Sequence, residues 1–209
     1  MYRDELLAGL CRRGLDESVV QAVARVPREV FVPEDLRDRA WEDGALPIGA
    51  GQTISQPSLV AYMVALLDLR GGERVLDVGT GSGYHAAVLA QIAAHVWSIE
   101  RHPELSAAAR HSLDEAGVHN VTLLVGDGAR GAPEHAPYHA INVAAAVEGD
   151  LPDALVEQLI DGGRVVAPIR NGDERLVVAR RYGDRLEHSE HGAVRFVPLV
   201  REGRAGKAG

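Results

Sequence analysis

The chain has 209 residues, 22 Lys and Arg against 30 Asp and Glu, a formal charge of −8, and 46% hydrophobic against 4% aromatic residues. That is the composition of one folded, enzyme-sized domain; with Cys11 as the sole thiol it excludes a disulfide scaffold, and it also excludes disorder and collagen-like repeats. The acidic balance opposes broad binding to nucleic acid, and no apolar run reaches the roughly 18 residues of a membrane span, so neither partner is expected.

The opening run MYRDELLAGLCRRG places Arg3, Asp4 and Glu5 where an export signal needs an apolar core, and a lone thiol suits a reducing compartment. A cytoplasmic location is expected. Asp16 is positioned to cap a helix with Val19, Val20, Val23 and Val26 on one face, stopped by Pro27. From Val30 to Gly51 the prolines and glycines predict an irregular segment wrapped over a larger body. A further helix holds Leu59, Met63 and Leu66, with Ser55 as its candidate N-cap.

Beyond Arg70 short β-branched runs alternate with helical stretches. Strands are predicted at Arg74–Gly79, His95–Glu100, Val121–Gly126, Ala140–Ala144 and Arg164–Ile169, with helices at Tyr84–Ala94, Pro103–Ala116 and Pro152–Ile160. This rhythm predicts an α/β fold whose parallel sheet is covered by helices on both faces. The last part departs from it: RLVVARRY and AVRFVPLV, joined by the polar GDRLEHSEHG, predict an antiparallel hairpin within 174–200. One domain is expected over 1–202, made of an N-terminal segment 1–60, a core 70–170 and this hairpin. The tail 203–209 is expected to be disordered.

VLDVGTGSGY at Val75–Tyr84 runs from a strand through Gly79, Gly81 and Gly83 into a helix, and glycine lets a ligand approach the backbone closely. Tyr84 stands where a dinucleotide fingerprint has its third glycine, so NAD fits poorly and S-adenosylmethionine fits better. Asp77 is then expected to face the cofactor's ammonium group, with Val78 to Gly83, including Thr80 and Ser82, cradling it. Glu100 and the adjacent Arg101 follow at the next strand end, where the Glu100 carboxylate can accept from both ribose hydroxyls. Asp127 and Gly128, in GDG, can read the adenine edge, the competing reading being a plain β-turn. Of the nine histidines, His102, His111, His119, His135, His139, His188 and His191 lack metal-site spacing and are expected to be solvated. No metal is predicted. Trp41 and Trp97 are expected to pack rather than to stack on a cofactor.

LPIGAGQTISQPSLVA at Leu46–Ala61, VLDVGTGSGYHAAVLA, SIE, NVTLLVGDG, QLIDGGRVVAPI and VRFVPL together resemble the protein-L-isoaspartate (D-aspartate) O-methyltransferase family, from Val26 to Leu199. The resemblance implies a seven-stranded, mostly parallel Rossmann-like sheet. It implies transfer of a methyl group from S-adenosylmethionine, leaving S-adenosylhomocysteine, to the α-carboxyl of isoaspartyl residues in damaged proteins, with later closure to a succinimide. Ser55 is the implied catalytic residue, aiming the carboxylate. Ile54, Pro57 and Ser58 would line the substrate mouth, and the backbone of Val194, Phe196 and Val197 would pair with the peptide. The chain departs from the family at His139, Ala144, Val147, Trp41 and Val200, which bears on the pocket's shape. A monomer is expected. Two alternatives stand beside this reading: a carboxyl methyltransferase dedicated to an aspartate in one peptide, and a non-catalytic S-adenosylmethionine-binding module.

Overall fold

The computed structural model describes residues 2–200; the expectation for the tail 203–209 lies outside them. The chain enters through α1 (Tyr2–Arg12) and α2 (Glu17–Arg25). Val19, Val20 and Val23 of α2 are buried as their spacing predicts, and Val26 is extended, because the residue before a proline is driven out of the helical region. Asp16 stands at the N-cap position without a side-chain bond. The segment expected to be irregular forms two 3-10 turns, Arg28–Phe31 and Glu34–Arg39, and a small hairpin, β1 (Leu46–Gly49) and β2 (Gln52–Ile54). In α3 (Pro57–Leu66) the N-cap is Gln56 with Pro57 in the first turn, so Ser55 is not the cap.

The regular part then runs β3 (Arg74–Val78), α4 (Tyr84–Ala90), β4 (His95–Glu100), α5 (Pro103–Glu115), β5 (Val121–Val125), β6 (Tyr138–Val143) and the two-residue β7 (Val147–Glu148). It continues with α6 (Asp153–Glu157), β8 (Leu159–Asn171), β9 (Asp173–Tyr182) and β10 (Arg185–Ala193). The sheet order is β10-β9-β8-β6-β3-β4-β5, seven strands, with β7 added beside β8. β5, β4, β3, β6 and β8 are parallel to their neighbours in that row, and β8, β9 and β10 antiparallel, giving the mostly parallel Rossmann-like sheet. Side chains alternate across it: Val75, Val96 and Ala140 pack in the core cluster that also takes Val19, Val60, Val88 and Leu113, and Leu76, Trp97 and Ile141 pack with Leu155 of α6 on the other face.

Boundaries differ from expectation most at three places. α4 stops at Ala90 rather than Ala94, and Asn120 Nδ2 caps the end, donating to the Ala90 carbonyl and to that of Ala93 just beyond it. α6 ends at Glu157, since Leu159 already pairs with Tyr138; between there and the Ala140–Arg164 pair the register shifts, so β8 is long and bulged. The third difference is the hairpin. The partner of β9 is the polar run Arg185–Ala193, joined through Gly183 at φ 56, and not AVRFVPLV. β10 is an edge strand with both faces open to water, so no apolar alternation is required of it, and its charges guard the edge. The apolar run after it is instead drawn back over the carboxyl ends of the central strands: Val194 N donates to Glu174 O, Ala146 N to Val197 O, and Leu199 N to Ala146 O.

No described helix is long and apolar enough to cross a membrane.

Candidate active site

From β3 the chain crosses over to β4 and β5 on one side, then returns to place β6 on the other. The crevice of such a sheet lies at the carboxyl ends of these strands, where the winding reverses. A cavity of about 130 Å³ occupies that place, lined by Val78 and Gly79 after β3, Glu100, Arg101 and His102 after β4, Gly128 after β5, and Ala144 and Ala145 after β6. Gln52, Thr53 and the returning segment Val197–Val200 close it. An inner recess of about 40 Å³ shares Thr53, Gly79, Gly81 and Ala144 with the cavity and adds Ile54, Ser55, Thr80, Ser82, Tyr84 and His85.

The glycine loop follows from local chemistry. Gly79 and Gly81 have φ of 94° and 53°, which other residues adopt at a cost, and the loop is held by Gly81 N donating to Glu100 Oε2 at 2.9 Å. Glu100 is 6% exposed, and its Oε1 accepts from His102 N at 3.0 Å. Each oxygen retains lone-pair capacity toward the cavity. Gly128 sits where a Cβ would lie 2.5 Å from Val78 Cγ1, so its absence keeps that wall thin.

Not every predicted residue reaches the cavity. Gly83, at φ 88, lies at the start of α4 and is not a lining residue; a Cβ there would be 3.2 Å from Ala109, so it serves packing of α4 on α5. Asp77 does not face the cavity. It is fully buried and in register with Ser98 on β4 and Asn142 on β6, so the three polar side chains form a row: Ser98 Oγ donates to Oδ2 at 2.7 Å and Asn142 Nδ2 to Oδ1 at 2.7 Å. Burial raises the Asp77 pKa to about 6, against the lowering effect of those hydrogen bonds. Thr80, itself buried, extends the row through its hydroxyl to Ser98 Oγ at 2.6 Å. Asp127 accepts from Ala129 N and caps a 3-10 turn, facing a neighbouring surface hollow, while Gly128 lines the cavity.

The expected substrate residues divide likewise. Ile54 and Ser55 line the recess. Pro57 is buried at the start of α3, and Ser58 faces a separate hollow under α1, its N–H donating to Asp43. Val197 lines the cavity, but Val194 N–H, Phe196 N–H and the Val197 carbonyl are already bonded within the chain, to Glu174 and Ala146, so those groups are not open to a peptide strand.

Several residues are placed otherwise than the sequence suggests, and two were not singled out there. His102 lines the cavity rather than being merely solvated. His139 sits near the start of β6, accepting from Arg74 N, four residues from the β6 end where the cavity lies; Val147 is core, and Ala144 and Val200 line the cavity. His85 was missed although, with the Tyr84 hydroxyl, it is one of only two polar side chains in the α4 run YHAAVLA. So was Arg28, whose fully buried guanidinium donates to Ser55 O at 2.8 Å and to Ala40 O at 2.6 Å.

Residues 1–204 match the family model described as Protein-L-isoaspartate(D-aspartate) O-methyltransferase (PCMT). The chain is similar to the protein-L-isoaspartate O-methyltransferase of Methanothrix thermoacetophila, 50% identical over 204 residues covering 96% of this chain and 95% of that one. Its likeness to the enzyme of that name from Halorhodospira halophila is 52% over 206 residues, 97% and 92% of the two chains. A solved protein-L-isoaspartate O-methyltransferase superposes with a TM-score of 0.85 at 29% identity, covering 94% of this chain and 65% of that longer one. A Plasmodium falciparum structure in complex with S-adenosyl-L-homocysteine shares the fold, with a TM-score of 0.79 at 24% identity and coverage of 94% of this chain and 97% of that one.

Proposed function

The chain belongs to the protein-L-isoaspartate(D-aspartate) O-methyltransferase family, and on that premise we propose that its cavity and recess carry S-adenosylmethionine-dependent methylation of the α-carboxyl of L-isoaspartyl residues in proteins or peptides. The observation that carries this reading is the adjacency of the two hollows: Ser55 lies in a recess whose walls at Thr53, Gly79, Gly81 and Ala144 are shared with the cavity that Glu100 lines. The buried Glu100 carboxylate with spare lone pairs, the positive-φ glycines and the thin Gly128 wall fit a nucleoside with its ribose at β4. When bound, the cofactor supplies a methyl group on a sulfonium centre.

The protein's share is positioning. A carboxylate with a pKa near 4 is already ionised at neutral pH, so no base is required. Ser55 directs the carboxylate, Ile54 and Val60 keep water from it, and Arg28 holds the Ser55 carbonyl and so the loop. Substitution Ser55→Ala is expected to lower kcat by about 10²-fold or less, with S-adenosylhomocysteine affinity nearly unchanged, as for loss of one positioning hydrogen bond. The kcat profile is expected to be flat between about pH 6 and 8. An acid limb abolished by His102→Gln would overturn the orientation-only mechanism and make His102 a base.

Replacing Glu100 with alanine removes both the proposed ribose acceptor and the bond that holds Gly81. Calorimetry with S-adenosylhomocysteine is expected to show binding weaker by about 1–3 kcal/mol. Unchanged affinity would take Glu100 out of the site.

A further inference from the structure

His85 lies in the first turn of α4, 6% exposed, and burial lowers its pKa to about 3, so the imidazole is neutral at any working pH. A neutral imidazole has one N–H and one acceptor nitrogen, and the neighbours decide which is which. Nδ1 lies 3.3 Å from Asn142 Nδ2. The Asn142 amide is oriented in turn by Asp77, whose Oδ1 faces Nδ2 at 2.7 Å; a carboxylate requires the NH2 end there. Nδ1 therefore accepts, and the proton sits on Nε2. That N–H is buried with no partner among the described residues, while the ring lines the recess beside Ser55, Thr80 and Ala144. Leaving a buried donor unpaired is unfavourable, and the recess of about 40 Å³ has room for a carboxylate group.

We propose that His85 Nε2–H is a binding donor to a carboxylate seated in the recess beside Ser55. The inference rests on the function proposed above, in which two carboxylates come near this point: the α-carboxylate of the isoaspartyl residue and the methionine carboxylate of the cofactor. An uncharged donor suits either, since an imidazolium would repel the sulfonium next to it. The Asp77, Ser98 and Asn142 row then has a purpose that does not require Asp77 to touch ligand: it fixes the His85 tautomer through Asn142.

The test compares wild type with His85→Leu, which removes the donor and keeps an apolar filling, and His85→Gln, which restores an N–H donor. S-adenosylhomocysteine affinity is measured by calorimetry, and KM and kcat with an isoaspartyl peptide. We expect His85→Leu to lose about tenfold in one of the two and His85→Gln to recover to within about threefold of wild type. A loss in S-adenosylhomocysteine affinity assigns the donor to the methionine carboxylate; a raised peptide KM with intact S-adenosylhomocysteine affinity assigns it to the substrate. Wild-type values in His85→Leu for both would overturn the proposal. Should His85→Leu fail to fold, the imidazole ¹⁵N and Nε2–H resonances of wild type are followed as S-adenosylhomocysteine and then peptide are added, and resonances unmoved by both would overturn it. If wild type does not methylate the peptide, the proposed function fails, while the calorimetry and the resonances still decide the role of His85.

Discussion

Replacing Arg28 with alanine is expected to lower the free energy of unfolding by about 3–5 kcal/mol. Arg28 begins the 3-10 turn that follows Pro27 and is fully buried. Its Nε donates to Ala40 O and its Nη2 to Ser55 O, and its guanidinium lies 4.6 Å from the centre of the Tyr84 ring, which itself meets Phe31 edge-on at 5.7 Å. One side chain thus ties the entry segment, the Ser55 loop and the first residue of α4. Burial lowers its pKa, with Tyr84 and Asp43 acting the other way, but a guanidinium remains protonated. In Arg28→Ala two carbonyls lose their donor and a void opens under the Tyr84 ring. A domain with roughly 5–15 kcal/mol in total can lose a large part of its stability this way. Arg28→Lys keeps the charge without the planar fork and should fall between. Urea unfolding checks this, and a midpoint equal to that of wild type would contradict it. Where Arg28→Lys is still folded, kcat should fall more than S-adenosylhomocysteine affinity, because the released carbonyl belongs to Ser55 and not to the Glu100 end of the cavity.

Acid is expected to act on this fold through two buried groups of opposite sign. For His85 the unfolded pKa is near 6.5 and the folded one about 3, so below 6.5 the unfolded chain binds the proton that the folded one refuses. Stability is lost as pH falls from about 6.5 toward 3, by about 5 kcal/mol over the full interval at 1.36 kcal/mol per unit. Asp77 runs the other way: its folded pKa of about 6 lies above the unfolded 3.8, so the folded state takes up the proton first. Stability is gained there as pH falls from about 6 to 4, by about 3 kcal/mol. The histidine is the larger. Urea unfolding of wild type and His85→Gln at pH 7 and pH 4 should show the stability of wild type relative to the variant falling by about 3 kcal/mol on acidification. For Asp77→Asn the difference should move in the opposite sense. Parallel curves for wild type and both variants would show that neither group titrates as its burial dictates.

What could be read from the chain alone was what local chemistry decides. β3, β4 and β6 are short runs buried on both faces, β5 at the sheet edge is half-buried but still reads as the apolar run VTLLV, and α5 carries its own start and stop in Pro103 and Gly117. The glycine loop was legible because positive φ is a property of single residues, and Glu100 because it closes the next strand. β10 was not legible. An edge strand open to water on both faces obeys no hydrophobic pattern, and its pairing is set by β9 and a two-residue turn, while AVRFVPLV, richer in strand-forming residues, was claimed elsewhere by Ala146 and Glu174.

The division runs through the site as well. Glu100, Gly128 and Ser55 could be named from their places after strands or in a motif. Asp77 could be named too, but whether it faces ligand or interior depends on the register that puts it opposite Ser98 and Asn142, residues 21 and 65 positions away. His85 and Arg28 acquire their meaning only from such distant partners: Asn142 fixes a tautomer, and the Ala40 and Ser55 carbonyls occupy a guanidinium. Periodicity and turn chemistry are carried by neighbours along the chain, so the sequence by itself determined the strand and helix rhythm, the glycine loop and the family. Hydrogen-bond satisfaction in a buried interior is carried by neighbours in space, so only the tertiary structure decided which polar side chains line the cavity and which ones hold those in place.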